Sequence, residues 1–210
     1  RNSSVAALGP EHIGTMTDRS AAHWRPHPLR RPDNAGLRDW LTDPGSLTAR
    51  LQQRGAFALR LLRQGQGRPN RDETAVLGQP AGQRARIREV TLSCDGRVLV
   101  FAHTVLPRAP RGPFCRWLGR LGERSLGALL FAHPGFARGP LHCRRLDARH
   151  PLYARAMAAL GLDATPPTAP PLWARRSCFT YDAQRVLVTE VFHPAIANLA
   201  PALDIKKKTL

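Results

Sequence analysis

Lysine is nearly missing from this chain of 210 residues: it occurs only at Lys206–Lys208, in "IKKKTL", while arginine is spread throughout. Acidic residues are also few, 15 against 32 Lys and Arg, for a formal net charge of +17. Such an excess ordinarily suits nucleic acid or an anionic membrane, because dense cations neutralise phosphates and release counterions. Here the arginines lie among Ala, Gly and Pro instead of massing on one helix, and the interleaved aromatic and basic residues of nucleic-acid modules are missing. The pattern reads as compositional drift towards arginine with a mild attraction for small anions, and no nucleic-acid partner is expected. Cys94, Cys115, Cys143 and Cys178 include no C-x-x-C pair, which argues against a zinc or redox motif and for reduced thiols. No apolar run reaches ~18 residues and the first 30 residues hold no continuous apolar core, so neither a spanning helix nor a signal peptide is expected. The expectation is a soluble, cytoplasmic chain without membrane insertion. Three catalytic signatures are absent as well: G-x-S-x-G, H-E-x-x-H, and a dinucleotide fingerprint, since "GQGRPN" lacks the last glycine and precedes no convincing helix.

What is present suffices for one domain with a core, at 42% hydrophobic residues. Residues 1–35 are polar and Pro-rich and read as a flexible lead, whose first part is expected to include a processed or appended end. The domain is expected over 36–196 and a tail over 197–210. "LRDWL" gives a short helix, and "DPGSLTARLQQRG" a turn and a second helix with Ser46 as N-cap and Gly55 as stop. "AFALRLLRQ" reads as a strand and "GQGRPNRDET" as a mobile loop. In "ARIREVTLSCDGRVLVFAHTVLP" two alternating segments flank Asp95-Gly96, a hairpin turn in which both residues tolerate positive φ. Ser125 caps a helix bearing Leu126, Leu129 and Leu130. Residues 132–172, rich in Pro, Gly, Arg and His, read as an insertion with one helix at "PLYARAMAALG". A last hairpin turns about Asp182-Ala183-Gln184. Strands joined by short turns, with helices clustered elsewhere, predict an α+β fold on a single antiparallel sheet with flanking helices.

"RVLVTEVFHP" (185–194) contains an anomaly. Strand alternation puts Glu190 on one face with Val186, Val188 and Phe192. Arg88 in "IREVTL" likewise shares a face with Val90 and Leu92, while Glu89 turns to the other. The sheet therefore offers one inward cation and one inward anion. They either pair with each other, which often recovers no more than the desolvation cost, or face a pocket. A pocket of that kind suits a ligand with a carboxylate for the arginine fork and a hydroxyl for the glutamate. The helix starts Ser46-Leu47 and Ser125-Leu126 add backbone N–H groups without intrahelical partners, which together with Arg88 suit a carboxylate. His133, His142 and His150 with Cys143 fall in the irregular insertion and read as solvated loop residues, not metal ligands. His103 alternates with Phe101 and Val105, and its plain reading is a hydrogen-bonded core histidine.

The blocks "DPGSLTARLQ", "IREVTLSCDGRVLVFAHTVLP", "LGERSLGALLF", "WARRSCF" and "LVTEVFHP", in this order, resemble the chorismate pyruvate-lyase family of bacterial ubiquinone synthesis. They cover most of residues 37–194. The resemblance implies an antiparallel sheet with flanking helices around an internal ligand cavity. It also implies elimination of pyruvate from chorismate to leave 4-hydroxybenzoate, without metal or organic cofactor, in a monomer prone to product inhibition. By the same resemblance Arg88 binds the ring carboxylate, Glu190 the hydroxyl, and Leu47 and Leu126 contribute backbone amides. Some relatives carry an arginine where this chain has His103, which makes His103 the candidate contact for the second carboxylate of chorismate. The competing class is a non-catalytic carrier of small aromatic acids.

Overall fold

The computed structural model describes residues 23–200 apart from 120, 123 and 166–168. The expected ends at 1–22 and 201–210 lie outside the described residues. In chain order the elements are α1 (Arg38–Thr42), α2 (Leu47–Gln52), β1 (Phe57–Gly67), α3 (Arg71–Leu77), β2 (Ala85–Cys94), β3 (Arg97–Leu106), α4 (Pro113–Gly119), α5 (Leu126–Ala132), β4 (Ala137–Arg138), β5 (His142–Leu146), α6 (Tyr153–Leu160), β6 (Leu172–Tyr181) and β7 (Gln184–Phe192). All the described strands join one antiparallel sheet in the order β1-β2-β3-β7-β6, with β4 and β5 one after the other along the outer edge of β6. This is the α+β architecture that the turn spacing predicts.

Two tight reversals set the register. Asp95 and Gly96 have φ of 48° and 76°, and Asp182 and Ala183 have 43° and 60°, the left-handed values that a two-residue hairpin needs. Asp95 also accepts a 2.7 Å hydrogen bond from the Ala56 N–H. A Cβ on Gly55 would lie 2.3 Å from that carboxylate, so Gly55 serves a close approach, while α2 already ends at Gln52.

The sheet separates two layers. On the front face, α1 and α2 bury Trp40, Leu41, Leu47 and Leu51 against Val90, Leu92, Val100 and Phe192. Also on the front, α4 and α5 bury Phe114, Leu118, Leu126 and Leu130 against Leu106, Phe179 and Val186. On the back, α6 sets Tyr153, Ala156 and Met157 on Phe101, Leu172 and Val191. There too, α3 adds Leu77 against Ile87, Val105 and Leu187. Burying a leucine such as Leu41 or Leu51 fully contributes about 2 kcal/mol.

Three segments differ from the sequence reading. The expected mobile loop is the end of β1 followed by α3, because Asn70 and Glu73 cap each other's backbone at the helix start and Gly78 closes it in the left-handed conformation. A helix therefore does follow "GQGRPN", although the fingerprint's last glycine is still missing. Residues 132–172 supply β4, β5 and α6, so they help build the sheet edge and the back layer. The described part of the lead is packed: Trp24 is buried, and Arg25 exchanges backbone hydrogen bonds of 2.9 and 2.6 Å with Cys143.

Candidate active site

The front face encloses a small cavity beneath α2 and α5. Leu59, Arg88, Val90, Leu92, Ala102, Thr104, Val188 and Glu190 line it from the sheet, and Thr48, Ser125, Leu126 and Gly127 from the helix starts. Its shape follows from register. Arg88 on β2 faces Thr104 on β3, which faces Val188 on β7; one row along, Val90 faces Ala102, which faces Glu190. Arg88 and Glu190 thus stand two strand spacings apart, about 10 Å, and two residues out of step, about 7 Å along the strand. The small Ala102 and the hydroxyl of Thr104 form the floor between them. The volume is about 30 Å³, room for roughly two waters. Wider hollows lie elsewhere, one of about 390 Å³ between the lead, β5 and Trp173 and one of about 750 Å³ about Gly78, Pro107 and Asp182.

Arg88 and Glu190 do not bond to each other. The Arg88 guanidinium donates to Gln64 Oε1, directly opposite on β1, at 2.5 Å and to the Arg124 carbonyl at 3.0 Å. Glu190 pairs through Oε2 with Nε of Arg175, its cross-strand neighbour on β6, at 2.6 Å. Arg175 is buried and donates from Nη1 to the carbonyls of Trp40 (2.8 Å) and Asp43 (2.7 Å). Arg138 binds Ser177 Oγ at 2.9 Å and the Pro44 carbonyl. Burial, then the neighbouring positive charge of Arg175, lowers the Arg138 pKa.

The two helix starts meet over the cavity. Ser46 and Ser125 accept from the N–H groups of Ala49 and Ala128, as N-caps do. Thr48 Oγ1 and Ser125 Oγ lie 2.7 Å apart, joining α2 to α5. Leu126 borders the cavity; the Leu47 side chain is buried in the α1–α2 core, and its neighbour Thr48 borders the cavity instead.

His103 is not at this site. It faces Glu89 across the strands and therefore shares the back face with it. Its Nδ1 bonds Glu89 Oε1 at 2.8 Å and its Nε2 lies 3.2 Å from Glu73 Oε1, while Arg155 pairs with Glu89 at 2.7 Å. Burial opposes a charge on His103, but the hydrogen bonds and charges of the two carboxylates outweigh it and raise the imidazole pKa. The plain reading, a hydrogen-bonded core histidine, describes it; the expected contact with a second substrate carboxylate does not. His150 and Cys143 are likewise buried and not solvated. Burial first, with Arg144 nearby, lowers His150 to about 4, and burial pushes the Cys143 thiol up to about 11. Among the described residues no group of His, Cys, Asp and Glu is arranged to hold a metal ion.

The sequence reading thus brings Arg88, Leu126 and Glu190 to one cavity, and it missed Arg175, Gln64, Thr48 and Thr104. Arg175 was findable, because a two-residue turn at Asp182-Ala183 counts back to put it opposite Glu190. A three-residue turn shifts the register and hides the pair.

Residues 19–199 match the family described as Chorismate lyase. A probable chorismate pyruvate-lyase of Dechloromonas aromatica (strain RCB) is 54% identical over 164 residues, 78% of this chain and 89% of that protein. Another, of Azoarcus sp. (strain BH72), is 47% identical over 182 residues, 86% of this chain and 95% of that protein. Among solved structures, PhnF from Mycobacterium smegmatis aligns with a TM-score of 0.49 at 22% identity, over 71% of this chain and 64% of that one. The chain belongs to the chorismate lyase family.

Proposed function

We propose that this protein is a chorismate pyruvate-lyase that forms 4-hydroxybenzoate and pyruvate, the entry step of ubiquinone synthesis. The observation that carries this reading is the single cavity shared by a buried arginine and a glutamate on separate strands, with apolar side chains between them. The guanidinium suits the ring carboxylate, which the Leu126 and Leu47 amides complete. Glu190, an acceptor, suits the ring hydroxyl, and Val90, Leu92 and Val188 suit the ring faces.

The reaction balances within the substrate. The bond between the ring and the enolpyruvyl oxygen breaks, the ring carbon bearing the hydroxyl gives up its hydrogen, and the enolpyruvate takes up a proton to become pyruvate. Aromatisation supplies the driving force, so neither oxidant nor group carrier enters the balance. The protein's contribution is to hold the dianion and stabilise shifting charge with preorganised donors. Glu190 orients the hydroxyl beside the carbon that loses hydrogen.

A cavity of about 30 Å³ is too small for a ring, so α2 and α5 must part to admit one. The product keeps both anchoring groups, which makes its release slow and the enzyme prone to product inhibition. No described helix is long and apolar enough to cross a membrane, and we place the protein in the cytoplasm as a monomer. Incubation with chorismate, followed by pyruvate-coupled NADH oxidation, tests the activity. Binding of 4-hydroxybenzoate without pyruvate release marks a carrier instead.

A further inference from the structure

Glu190 meets the cavity with only part of its carboxylate. Oε2 is held by Arg175 Nε at 2.6 Å, and among the described residues Oε1 has no hydrogen-bond partner. Arg175 is 1% exposed and cannot move away into water. Its other bonds fix it to the Trp40 and Asp43 carbonyls, at the end of α1 and the start of the link into α2. A carboxylate pinned this way presents one oxygen in one place, and the freedom a glutamate side chain would otherwise lose on binding is already removed. Arg138 does not share this task, since its bonds go to Ser177 and Pro44.

We propose that Arg175 is the positioning residue that makes Glu190 a single-oxygen acceptor, and that the pair selects ligands carrying a hydrogen-bond donor on the ring opposite the carboxylate. The proposal rests on the lyase reading of the cavity. A benzoate with a hydroxyl there satisfies Oε1. One with a methoxy group brings an acceptor against an acceptor, and unsubstituted benzoate leaves the oxygen bare. Site polar groups left unpaired by the wrong ligand give the stronger discrimination.

The test uses the full chain as wild type, Arg175→Met and Arg175→Lys. Dissociation constants for 4-hydroxybenzoate, 4-methoxybenzoate and benzoate are measured by calorimetry, with kcat and KM for chorismate and a circular-dichroism check of folding. Wild type is expected to prefer 4-hydroxybenzoate over the other two by about tenfold or more, as a hydrogen bond to a charged group allows. In Arg175→Met that preference falls to about two- to threefold or less while benzoate affinity is kept, and Arg175→Lys recovers part of it. If Arg175→Met does not fold, the comparison of Arg175→Lys with wild type decides. A folded variant that keeps the full preference, or weakens all three ligands equally, overturns the proposal and leaves Arg175 a structural clamp. Turnover without any preference in wild type also overturns it, with the lyase reading intact. Absence of pyruvate formation is the separate failure of that reading.

Discussion

The two faces of the sheet use neighbouring residues of the same strands for opposite ends. On the front, Arg88, Thr104 and Glu190 border a void, and Arg175 holds one oxygen of Glu190. On the back, Glu89, His103 and Arg176, each one residue away, close on other protein groups. His103 lies between Glu73 and Glu89, and Arg176 bonds Asp72 at 2.9 Å, which also accepts from Trp24 Nε1 at 2.9 Å. Both faces carry buried charge. A hollow of about 330 Å³ adjoins Arg176 on the back as well, but of these two spaces the front one alone has both a cation and an anion in its wall, so a cavity between unlike charges, and not buried charge as such, marks the candidate site.

This contrast can be broken most strongly on the front. Arg88→Ala is expected to lower kcat/KM for chorismate by about a hundredfold or more and to weaken 4-hydroxybenzoate binding, while the protein stays folded; normal kinetics would refute the assignment. On the back the same kind of truncation should act on stability. His103→Ala leaves Glu73 and Glu89 buried beside no imidazolium, at a cost of about 3 kcal/mol, read as a lower urea midpoint. Its KM for chorismate should match wild type, and a raised KM would return His103 to the substrate.

The back face also sets the pH response. Glu73 and Glu89 are buried, which opposes their charge, but hydrogen bonds and the charge of His103 win and hold both below the ordinary 4.5. Their contribution is complete above 4.5 and is lost as pH falls through the folded-state values. The His103 pKa is raised above 6.5, so its contribution is complete below 6.5 and is lost as pH rises through the folded-state value. Urea midpoints measured across pH should therefore decline on both sides, and the alkaline decline should vanish in His103→Ala. The smallest effect is at the seam of the front layer. Thr48→Val removes the 2.7 Å bond to Ser125, costs about 1 kcal/mol, and should quicken release of 4-hydroxybenzoate in stopped flow; unchanged release would show that the ring leaves by another route.

Much of this contrast is written in strand alternation. That Arg88 and Glu190 share an apolar face, and that Glu89 faces away, follows from counting by twos. Counting back from the β2–β3 turn alone would set His103 opposite Arg88; the register shift between Leu92 and Ser93 sets it opposite Glu89 instead, so its absence from the cavity was not legible. Helix α3 was hidden because Gly, Pro and Asn signal loops as well as helix starts, and only the Asn70–Glu73 spacing distinguishes the two. What no local pattern reveals is long-range closure: the bond from Arg175 to Trp40 spans 135 residues.

Among the described residues the outer border of β1 pairs with no other strand, and its make-up has a consequence in concentrated solution. Arg60, Arg63 and Gln64 lie along it, and the pairing with β2 slips between Leu61 and Arg63. A second copy docking there would have to match a kinked, cationic ribbon against its own twin, a poor template for strand addition. At the far border Arg25 bridges Cys143 on β5. The charge and kink of β1 thereby discourage crowded copies from stacking into fibres through that margin.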